Sequence, residues 1–561
     1  MPDGDKALSK ARGTLFSIEK YLISVSLTTP HWHSAQGTTT AQQSDSLGRR
    51  YLIKLASNLA TTPVYLVMEA VLPRALGPAA YGNFNFATAL FQNFTNFLDM
   101  GTSTCLNTAL AKHPEETALA AFYLRVAALV LLFTMGAGLL ICVPGLHEAF
   151  LPDVPLWMVL PAAFWAYLTW AGRVSRGMND ALGLTLRSEP VRIGGNLASL
   201  FALVLLFACG VLSLPVLFAH QFVFLGLMAL GFIVVLRANW LRATGGLPKL
   251  GKEQQGAYVR SFWQYSSPLC ITALCSALAL SGERWLLQYF DGSVQQGFFS
   301  LSQRIGVACF LFVTALTPLL MRELAVAHGK GDAHRMAQLL DRYAPMIYAL
   351  SAWMACFVFM EAVAVTRIFG GAGFAEAIIP VQIMALYPIH QGYGQVAGAV
   401  FYASGQTRAL RNISLAGLGL GLVTAWLCLA PASYGGLALG ATGLAVKMVL
   451  VQCVTVNILL YACQKTAPFA FARNLLHQLI CPLVFLGLGL VARETSMALS
   501  GLAIDSLIRF FLSGAIYCLL CLVPAAVFPF ALGLRRGELA SQAKRLNNWL
   551  ALWRQSKKVG K

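Results

Sequence analysis

The sequence LGPAAYGNFNFA at residues 76–87 recurs in a related form as DGSVQQGFFSLS at residues 291–302. At a constant offset of 215 residues and without a gap, five pairs of identical residues align: Gly77 with Gly292, Gly82 with Gly297, Phe84 with Phe299, Thr102 with Thr317 and His113 with His328. Each pair falls at the same place in the hydrophobic pattern, from the turn before an apolar segment to the polar end after it. The pattern predicts an internal repeat of two similar helical bundles.

The composition is that of a multi-pass membrane protein. Of 561 residues, 57% are hydrophobic and 11% are charged, whereas about a quarter of the residues in a soluble domain are charged. A membrane-spanning helix needs about 20 apolar residues, and the chain has fourteen candidate segments: 52–72, 84–111, 118–143, 154–172, 189–208, 216–236, 264–289, 298–321, 344–365, 378–403, 412–430, 437–462, 475–492 and 506–532. The alternating pattern of a β-barrel is lacking, and only helices or closed barrels satisfy their backbone in lipid. We therefore predict an all-α fold with about fourteen transmembrane helices.

The repeat divides these segments into two pseudo-symmetric six-helix lobes. Six helices separate the copies, so both run in the same direction, and a pseudo-two-fold axis along the membrane normal is expected. The predicted organisation is a disordered cytoplasmic tail at 1–48, a first lobe at 49–236, a cytoplasmic linker at 237–263, a second lobe at 264–462, two extra helices at 475–532 and a basic cytoplasmic tail at 533–561. Transporters built from such repeats bind their substrate between the lobes and alternate access by rocking them.

The net charge of +18 could indicate a nucleic-acid partner, so the distribution of the basic residues has to decide. With a cytoplasmic N-terminus, the tails and cytoplasmic loops hold 31 of the 41 Lys and Arg residues, and the outer loops hold only Arg74, Arg367 and Arg493. This is the positive-inside asymmetry of a membrane protein. We expect membrane lipids and no nucleic acid as partners, with both termini cytoplasmic.

The second predicted helix carries a polar stripe within QNFTNFLDMGTS, residues 92–103, and the residues before it. Its members follow one another at steps of 3, 4, 4, 3 and 4, which places them on one helix face: Asn85, Thr88, Gln92, Asn96, Asp99 and Ser103. Such a face either lines a water-filled cavity or forms hydrogen bonds with a neighbouring helix, since lipid satisfies neither donors nor acceptors. Six positions and an aspartate favour the cavity.

Several cations of the second lobe lie within predicted spans. The offset places Ser300 and Gln303 over Asn85 and Thr88, and Arg304 follows at once. Lys447 lies about ten residues into its span. An intramembrane charge costs at least about 2.5 kcal/mol on insertion scales and usually serves a function. We predict that Arg304, Lys447 and Arg284 bind an anionic substrate and that Gln303 lines the cavity, although Arg284, next to Glu283, could instead anchor its helix at the surface.

The other charges near the spans receive different interpretations. Asp99 and Glu69 belong to the first lobe and are predicted to bind a coupling ion, H⁺ or Na⁺; no other cofactor and no catalytic residue are expected. Lys54, Arg125, Arg192 and Arg509 lie near helix ends. For these four, the default expectation is that the side chain reaches the lipid headgroups.

Two stretches resemble the multidrug/oligosaccharidyl-lipid/polysaccharide (MOP) exporter superfamily, and specifically its polysaccharide (Wzx-type) branch of lipid-linked oligosaccharide flippases. VLPRALGPAAYGNFNFATALFQNFTNFLDMGTS at 71–103 is similar to the first hairpin of that family, with Leu-Gly, Tyr-Gly and Asp-x-Gly after an aromatic run. GFFSLSQRIGVACFLFVTALTPLLMRELA at 297–325 resembles the region of the seventh and eighth helices. The resemblance in span layout covers about residues 50–532.

The resemblance implies a transporter rather than an enzyme, placed in the inner membrane of a prokaryote. It would move an undecaprenyl-pyrophosphate-linked oligosaccharide to the outer leaflet by alternating access, together with other polysaccharide-assembly proteins. Arg304 matches an arginine that related lipid II flippases place in their cavity, whereas Glu69 stands where they have a basic residue within the first helix. The two extra helices would form a groove for the lipid tail.

Two other functions are weighed against a flippase. A multidrug or cation exporter of the same superfamily would favour an acidic cavity, for which Asp99 and Glu69 are candidates. A membrane glycosyltransferase or polymerase would place acidic catalytic residues in large outer loops, whereas the predicted outer loops span about 5 to 15 residues and contain no paired-carboxylate motif. The flippase accounts best for the buried cations.

Overall fold

The computed structural model describes residues 47–242, 244–310, 317–503, 506–527 and 529–532. The basic tail predicted at 533–561 and nearly all of the tail predicted at 1–48 lie outside these ranges. Within them the chain is helical and contains no β-strand. The prediction of an all-α fold is confirmed.

The α-helices are, in chain order: α1 Leu47–Asp99, α2 Thr102–Lys112, α3 Thr117–Ile141, α4 Leu146–Phe150, α5 Val159–Ala181, α6 Thr185–Ala208, α7 Leu214–Leu236, α8 Lys252–Ala308, α9 Thr317–Gly329, α10 Ala333–Met360, α11 Ala362–Gly370, α12 Ile378–Ala385, α13 Tyr387–Ala403, α14 Thr407–Leu429, α15 Gly440–Cys463, α16 Phe471–Ser500 and α17 Leu507–Val527. Among the described residues, ten helical segments are long and apolar enough to cross a membrane. The count of fourteen stays a prediction.

The two longest helices are hairpins. Their helical geometry breaks at Gly77 (φ 74°, ψ 170°) in α1 and at Gly292 (φ 78°, ψ −176°) in α8. The Tyr81 hydroxyl lies 3.3 Å from a Glu69 carboxylate oxygen, although 12 residues of straight helix would separate them by about 18 Å. The chain therefore reverses at each glycine, where a positive φ suits a residue without Cβ.

The two hairpins touch each other reciprocally. A Cβ atom on Gly82 would lie 1.9 Å from the carbonyl oxygen of Ser293, and one on Gly297 would lie 2.1 Å from that of Pro78. Ser293 stands 215 residues after Pro78, as Gly297 does after Gly82. Each repeat thus offers the same two positions to the other, which is the pattern of a two-fold contact. The hairpins meet closely here because both carry glycine. The two six-helix lobes stay a prediction, and the terms first lobe and second lobe refer below to residues 49–236 and 264–462.

The connections between helices fall at two ends of the bundle. Gly77 and Gly292 lie at one end, together with the connection after α11, where Arg74 donates a hydrogen bond to the Arg367 carbonyl at 2.8 Å. We call this end the Gly77 face. The connections 182–184, 330–332 and 404–406 lie at the opposite end, which we call the Gly405 face.

Part of the predicted linker 237–263 is helical and packs on the first lobe. α8 begins at Lys252, and its aromatic residues Tyr258 and Phe262 are buried against Phe122 at ring-centroid distances of 5.5 and 5.2 Å. Burial and the adjacent Glu116 carboxylate raise the pKa of Tyr258 well above its usual value, so its hydroxyl stays protonated and donates to Glu116. Helix α8 therefore packs on one lobe at the Gly405 face and forms the repeat hairpin of the other.

Two arginines expected to reach the headgroups are buried instead. Arg509 is 0% exposed and forms an ion pair with Glu361, which also accepts a hydrogen bond from Ser513 at 2.7 Å. Arg192 is buried as well, with its Nε 2.7 Å from Glu189. The expectation was wrong for both, because a carboxylate inside the bundle offers each guanidinium a partner that lipid lacks. The Arg509 pair ties the extra helix α17 to the end of α10.

Candidate functional site

Arg304 lies where the two lobes meet. Its Nη1 is 3.2 Å from Glu69 Oε1, and its Nη2 donates to Asn85 Oδ1 at 3.4 Å; both partners belong to the first-lobe hairpin. The arginine side chain is 51% exposed and that of Glu69 is 25% exposed. Arg304 therefore reaches across the lobe junction and keeps half of its surface open to the space beside it.

Arg284 lies on the first arm of the α8 hairpin and faces the second arm, which carries Arg304. Its guanidinium donates to Ser300 Oγ at 3.5 Å and to the Gln303 carbonyl oxygen, and it covers the Phe299 ring at 5.5 Å. These neutral partners leave its charge uncompensated. Arg284 thus lines the hairpin as a cation, and among the described residues only Glu69 forms an ion pair with either arginine of this cluster, namely with Arg304.

The polar stripe of α1 divides into two parts. Asn85 and Thr88 are buried, and each bonds to the backbone of its own helix, at 2.8 Å to the Tyr81 oxygen and 2.6 Å to the Phe84 oxygen. Asn96 is exposed and accepts hydrogen bonds from Gln92 at 3.4 Å and from Arg173 at 2.8 Å. The predicted wet face therefore fits Gln92 and Asn96 in the middle of the stripe, while Asn85 and Thr88 are packed.

Asp99 is surrounded by neutral donors at the start of α2. Its oxygens accept from the backbone N–H and hydroxyl of Ser103 at 3.1 and 2.7 Å, from Thr102 at 3.1 Å, from Tyr123 at 3.3 Å and from Trp170 at 3.2 Å. These donors satisfy both oxygens of an ionised carboxylate. Because Asp99 accepts from the backbone N–H of Ser103, it stabilises the start of α2 in the manner of a helix cap, next to the left-handed Gly101 at the N-cap position. A coupling ion would have to compete with these bonds.

Lys447 lies apart from Arg304, inside the second lobe. It is 4% exposed, and its ammonium group donates to the Glu283 carboxylate. Glu283 and Arg284 are neighbours in sequence, but their side chains bind different partners, in α15 and in the hairpin respectively. The structure therefore places the three predicted cations in two groups, with Arg304 and Arg284 at the hairpin and Lys447 behind it.

The Lys447–Glu283 pair borders a cavity of about 930 Å³, here called the second-lobe cavity. The helices α8, α13, α14 and α15 form most of its wall, which combines apolar side chains with amides and hydroxyls. The polar residues of the wall include Thr272, Ser276, Gln391, Ser414, Gln452 and Thr455. Its end near the Gly405 face carries Arg408 and Arg411. Neither arginine was predicted from the sequence, although two basic residues within the first five of a helix are a readable signal.

Comparisons with known proteins agree with this architecture. Residues 47–321 match the family model of polysaccharide biosynthesis proteins. A structure titled lipid II flippase MurJ, inward closed conformation, aligns at 12% identity with a TM-score of 0.59, over 86% of this chain and 98% of the flippase. An inward-facing multidrug resistance MATE family transporter of the MOP superfamily aligns at 12% identity with a TM-score of 0.51, over 74% and 97% of the two chains. No sequence of a curated protein gives a significant match.

These matches show that the described chain shares the fold of the lipid II flippase and of the multidrug transporter. The predicted resemblance is confirmed, and the chain is a multi-pass membrane protein with the fold of transporters. A structural match at 12% identity shows a shared fold but does not identify the substrate. The substrate has to be argued from the side chains at the lobe junction and in the second-lobe cavity.

Proposed function

We propose that this chain, which has the MOP transporter fold and whose residues 47–321 match the polysaccharide biosynthesis family, flips a lipid-linked oligosaccharide. The substrate class is an undecaprenyl-pyrophosphate-linked oligosaccharide, moved from the cytoplasmic to the outer leaflet by alternating access. One observation carries the proposal: Arg304 is half exposed at the lobe junction, and Arg284 packs against the helix arm that carries Arg304. Among the described residues, Glu69 is the one carboxylate that forms an ion pair there. The cluster has a net positive charge.

The charges of the cluster fit a diphosphate. Guanidinium groups bind phosphate oxygens through paired, charge-assisted hydrogen bonds. Arg284 has only neutral partners, and Arg304 shares its charge with a carboxylate that is itself partly exposed. A diphosphate therefore gains two guanidinium partners and displaces one carboxylate. Glu69, once released, becomes able to bind H⁺ or Na⁺, which would couple substrate binding to an ion gradient.

The direction of transport follows from the proposed orientation. Basic residues crowd the connections of the Gly405 face, among them Arg242, Lys330, Arg408 and Lys465. By the positive-inside rule this face is cytoplasmic, and both termini are then cytoplasmic as well. The proposed substrate class further implies the inner membrane of a prokaryote. The close contact of Gly82 and Gly297 near the Gly77 face then closes the outer side, and the substrate loads from the cytoplasm.

Depletion of the protein tests the proposal in cells. Lipid-linked oligosaccharide should accumulate in the cytoplasmic leaflet, measured by its accessibility to a glycosidase in right-side-out and inverted vesicles. Arg304→Ala should fail to relieve the accumulation at wild-type protein levels, while Arg304→Lys, which keeps the charge, should restore part of the transport. An unchanged leaflet distribution after depletion would instead favour an exporter of another compound, such as the organic cations of multidrug transporters.

A further inference from the structure

The second-lobe cavity ends at the Gly405 face in two arginines at the beginning of a helix. Arg408 and Arg411 lie in or next to the first turn of α14, which begins at Thr407. No acidic residue lies in that turn, and the residue before it, Gln406, makes no capping hydrogen bond. Cations are unfavourable at a helix N-terminus, where the backbone already presents a partial positive charge. The two arginines therefore weaken the start of the helix.

The cavity has no carboxylate to neutralise these arginines. Its one acidic lining residue, Glu283, is already bound to Lys447 about 13 residues deeper, at the level of Gly421. Arg411 is directed to the neutral Asn412 oxygen at 3.1 and 3.2 Å, and within the described ranges neither arginine has an acidic partner. The end of the cavity at the Gly405 face thus carries two uncompensated positive charges.

Membrane topology alone does not account for this arrangement. Arg335, in the first turn of α10, is another basic residue that the positive-inside rule explains. Asp332 precedes it and caps that helix by accepting a hydrogen bond of 2.8 Å. Arg335 does not line the second-lobe cavity. Arg408 and Arg411 differ from Arg335, because no acidic side chain caps their helix and both line the cavity. Their side chains border a space large enough for a ligand, since binding pockets usually measure about 300–1,000 Å³.

The dimensions of the cavity suit a polar chain attached to an anion. From Arg408 to Gly421, 13 residues of α14 cover about 20 Å along the helix, and a Cβ atom on Gly421 would lie 3.1 Å from both Glu283 and Lys447. Between these ends the wall offers hydroxyls and amides, among them Ser414 and Gln452. An anionic group can therefore bind near the Gly405 face while sugar hydroxyls find hydrogen-bonding partners inside.

We infer that Arg408 and Arg411 form a loading site for the diphosphate of the lipid-linked oligosaccharide, and that its sugars enter the second-lobe cavity before the diphosphate moves to Arg304 and Arg284. The inference rests on the proposed function for the identity of the ligand. Residues three apart on a helix have their Cβ atoms about 5–6 Å apart, so two guanidinium groups at this spacing can each hold one phosphate of a diphosphate.

Binding of inorganic pyrophosphate to the purified full-length chain tests the loading site. To remove the junction site from the measurement, the comparison is made in an Arg304→Ala/Arg284→Ala background. There the added Arg408→Ala/Arg411→Ala should weaken pyrophosphate binding at least tenfold. Arg335→Ala removes a charge from the same face and should change the Kd less than twofold. Unchanged affinity after the added Arg408→Ala/Arg411→Ala, or an equal loss in Arg335→Ala, would overturn the inference.

Two further measurements separate this inference from the proposed function. Gly398→Leu fills the cavity, because Gly398 lines it and a Cβ there meets only Tyr402, at 3.9 Å; this variant should bind pyrophosphate normally but transport no oligosaccharide. Transport at the wild-type rate would exclude the cavity as the place of the sugars. If pyrophosphate binding depends on Arg408 and Arg411 while depletion leaves lipid-linked oligosaccharide unaffected, the anion site stands and the proposed function fails.

The source of the phosphate is tested by competition. Farnesyl diphosphate should displace pyrophosphate from the wild-type protein, whereas vesicles of phosphatidylglycerol should do so at least tenfold less well. Equal displacement by both would assign the arginines to ordinary anionic headgroups and overturn the loading role.

Discussion

Glu69 and Arg284 occupy equivalent positions in the two repeats and carry opposite charges. The offset of 215 that aligns Gly77 with Gly292 also aligns these two residues. Glu69 pairs with Arg304 across the lobe junction, whereas Arg284 bonds within its own hairpin to Ser300 and Gln303. The backbone of the repeat is thus symmetric while its charge is not. An anionic ligand at this junction is attracted to the second lobe and competes with the carboxylate of the first.

This competition predicts the effect of Glu69→Gln on anion binding. The Glu69–Arg304 pair is partly exposed, and such pairs contribute about 0.2–1 kcal/mol. Removing the carboxylate should tighten the binding of pyrophosphate by about 1.5- to fivefold. The measurement is the pyrophosphate Kd at fixed ionic strength in an Arg408→Ala/Arg411→Ala background, which removes the other proposed anion site. Glu69→Asp keeps the charge and serves as the control; weaker binding in Glu69→Gln would contradict competition for Arg304.

The reciprocal glycine contact predicts a strong effect of a single methyl group. In Gly82→Ala the new Cβ would lie 1.9 Å from the Ser293 carbonyl oxygen, so the hairpins must separate. Overpacking of this kind costs about 1–3 kcal/mol, and we expect a lower Tm together with loss of transport. Gly136→Ala in α3 is the control, since nothing lies within 4 Å of its Cβ position. Equal Tm values for the two variants would argue against a tight lobe contact at Gly82.

The sequence predicts the repeat and its turns because both depend on local backbone chemistry. The turns at Gly77 and Gly292 need a positive φ, which favours glycine, so the two glycines can be found in the sequence at the fixed offset of 215. The pairing of Glu189 with Arg192 could also have been predicted, because the residues are three apart on one helix, but their burial could not. The Arg509–Glu361 and Lys447–Glu283 pairs could not be predicted either, since 148 and 164 residues separate their partners and only tertiary packing joins them. For the same reason the sequence could not predict that Lys447 and Arg304 lie in different groups of residues.

The buried pair of Arg509 and Glu361 predicts a stability effect in the extra helices. Removing one partner of a buried ion pair leaves an uncompensated charge and costs about 3–5 kcal/mol. Arg509→Met should therefore lower the Tm in detergent strongly and expose α17 to protease. The double variant Arg509→Met/Glu361→Leu removes both charges and should recover most of the lost stability. If the double variant is as unstable as the single one, the pair is not the source of the effect.

Asp99→Asn separates a helix-capping role from an ion-coupling role. The carboxylate accepts from five donors, including the Ser103 backbone and Trp170, and an amide would turn a donor toward some of them. A buried donor left without an acceptor costs about 1–3 kcal/mol, so the Tm should fall at every pH. A capping residue would leave the pH or Na⁺ dependence of the remaining transport unchanged, whereas a coupling residue would abolish it. Ser103→Ala, which removes one donor and keeps the carboxylate, is the control: it should lower the Tm less and preserve the ion dependence in either case. A normal Tm together with lost ion dependence in Asp99→Asn would establish coupling and contradict the capping role.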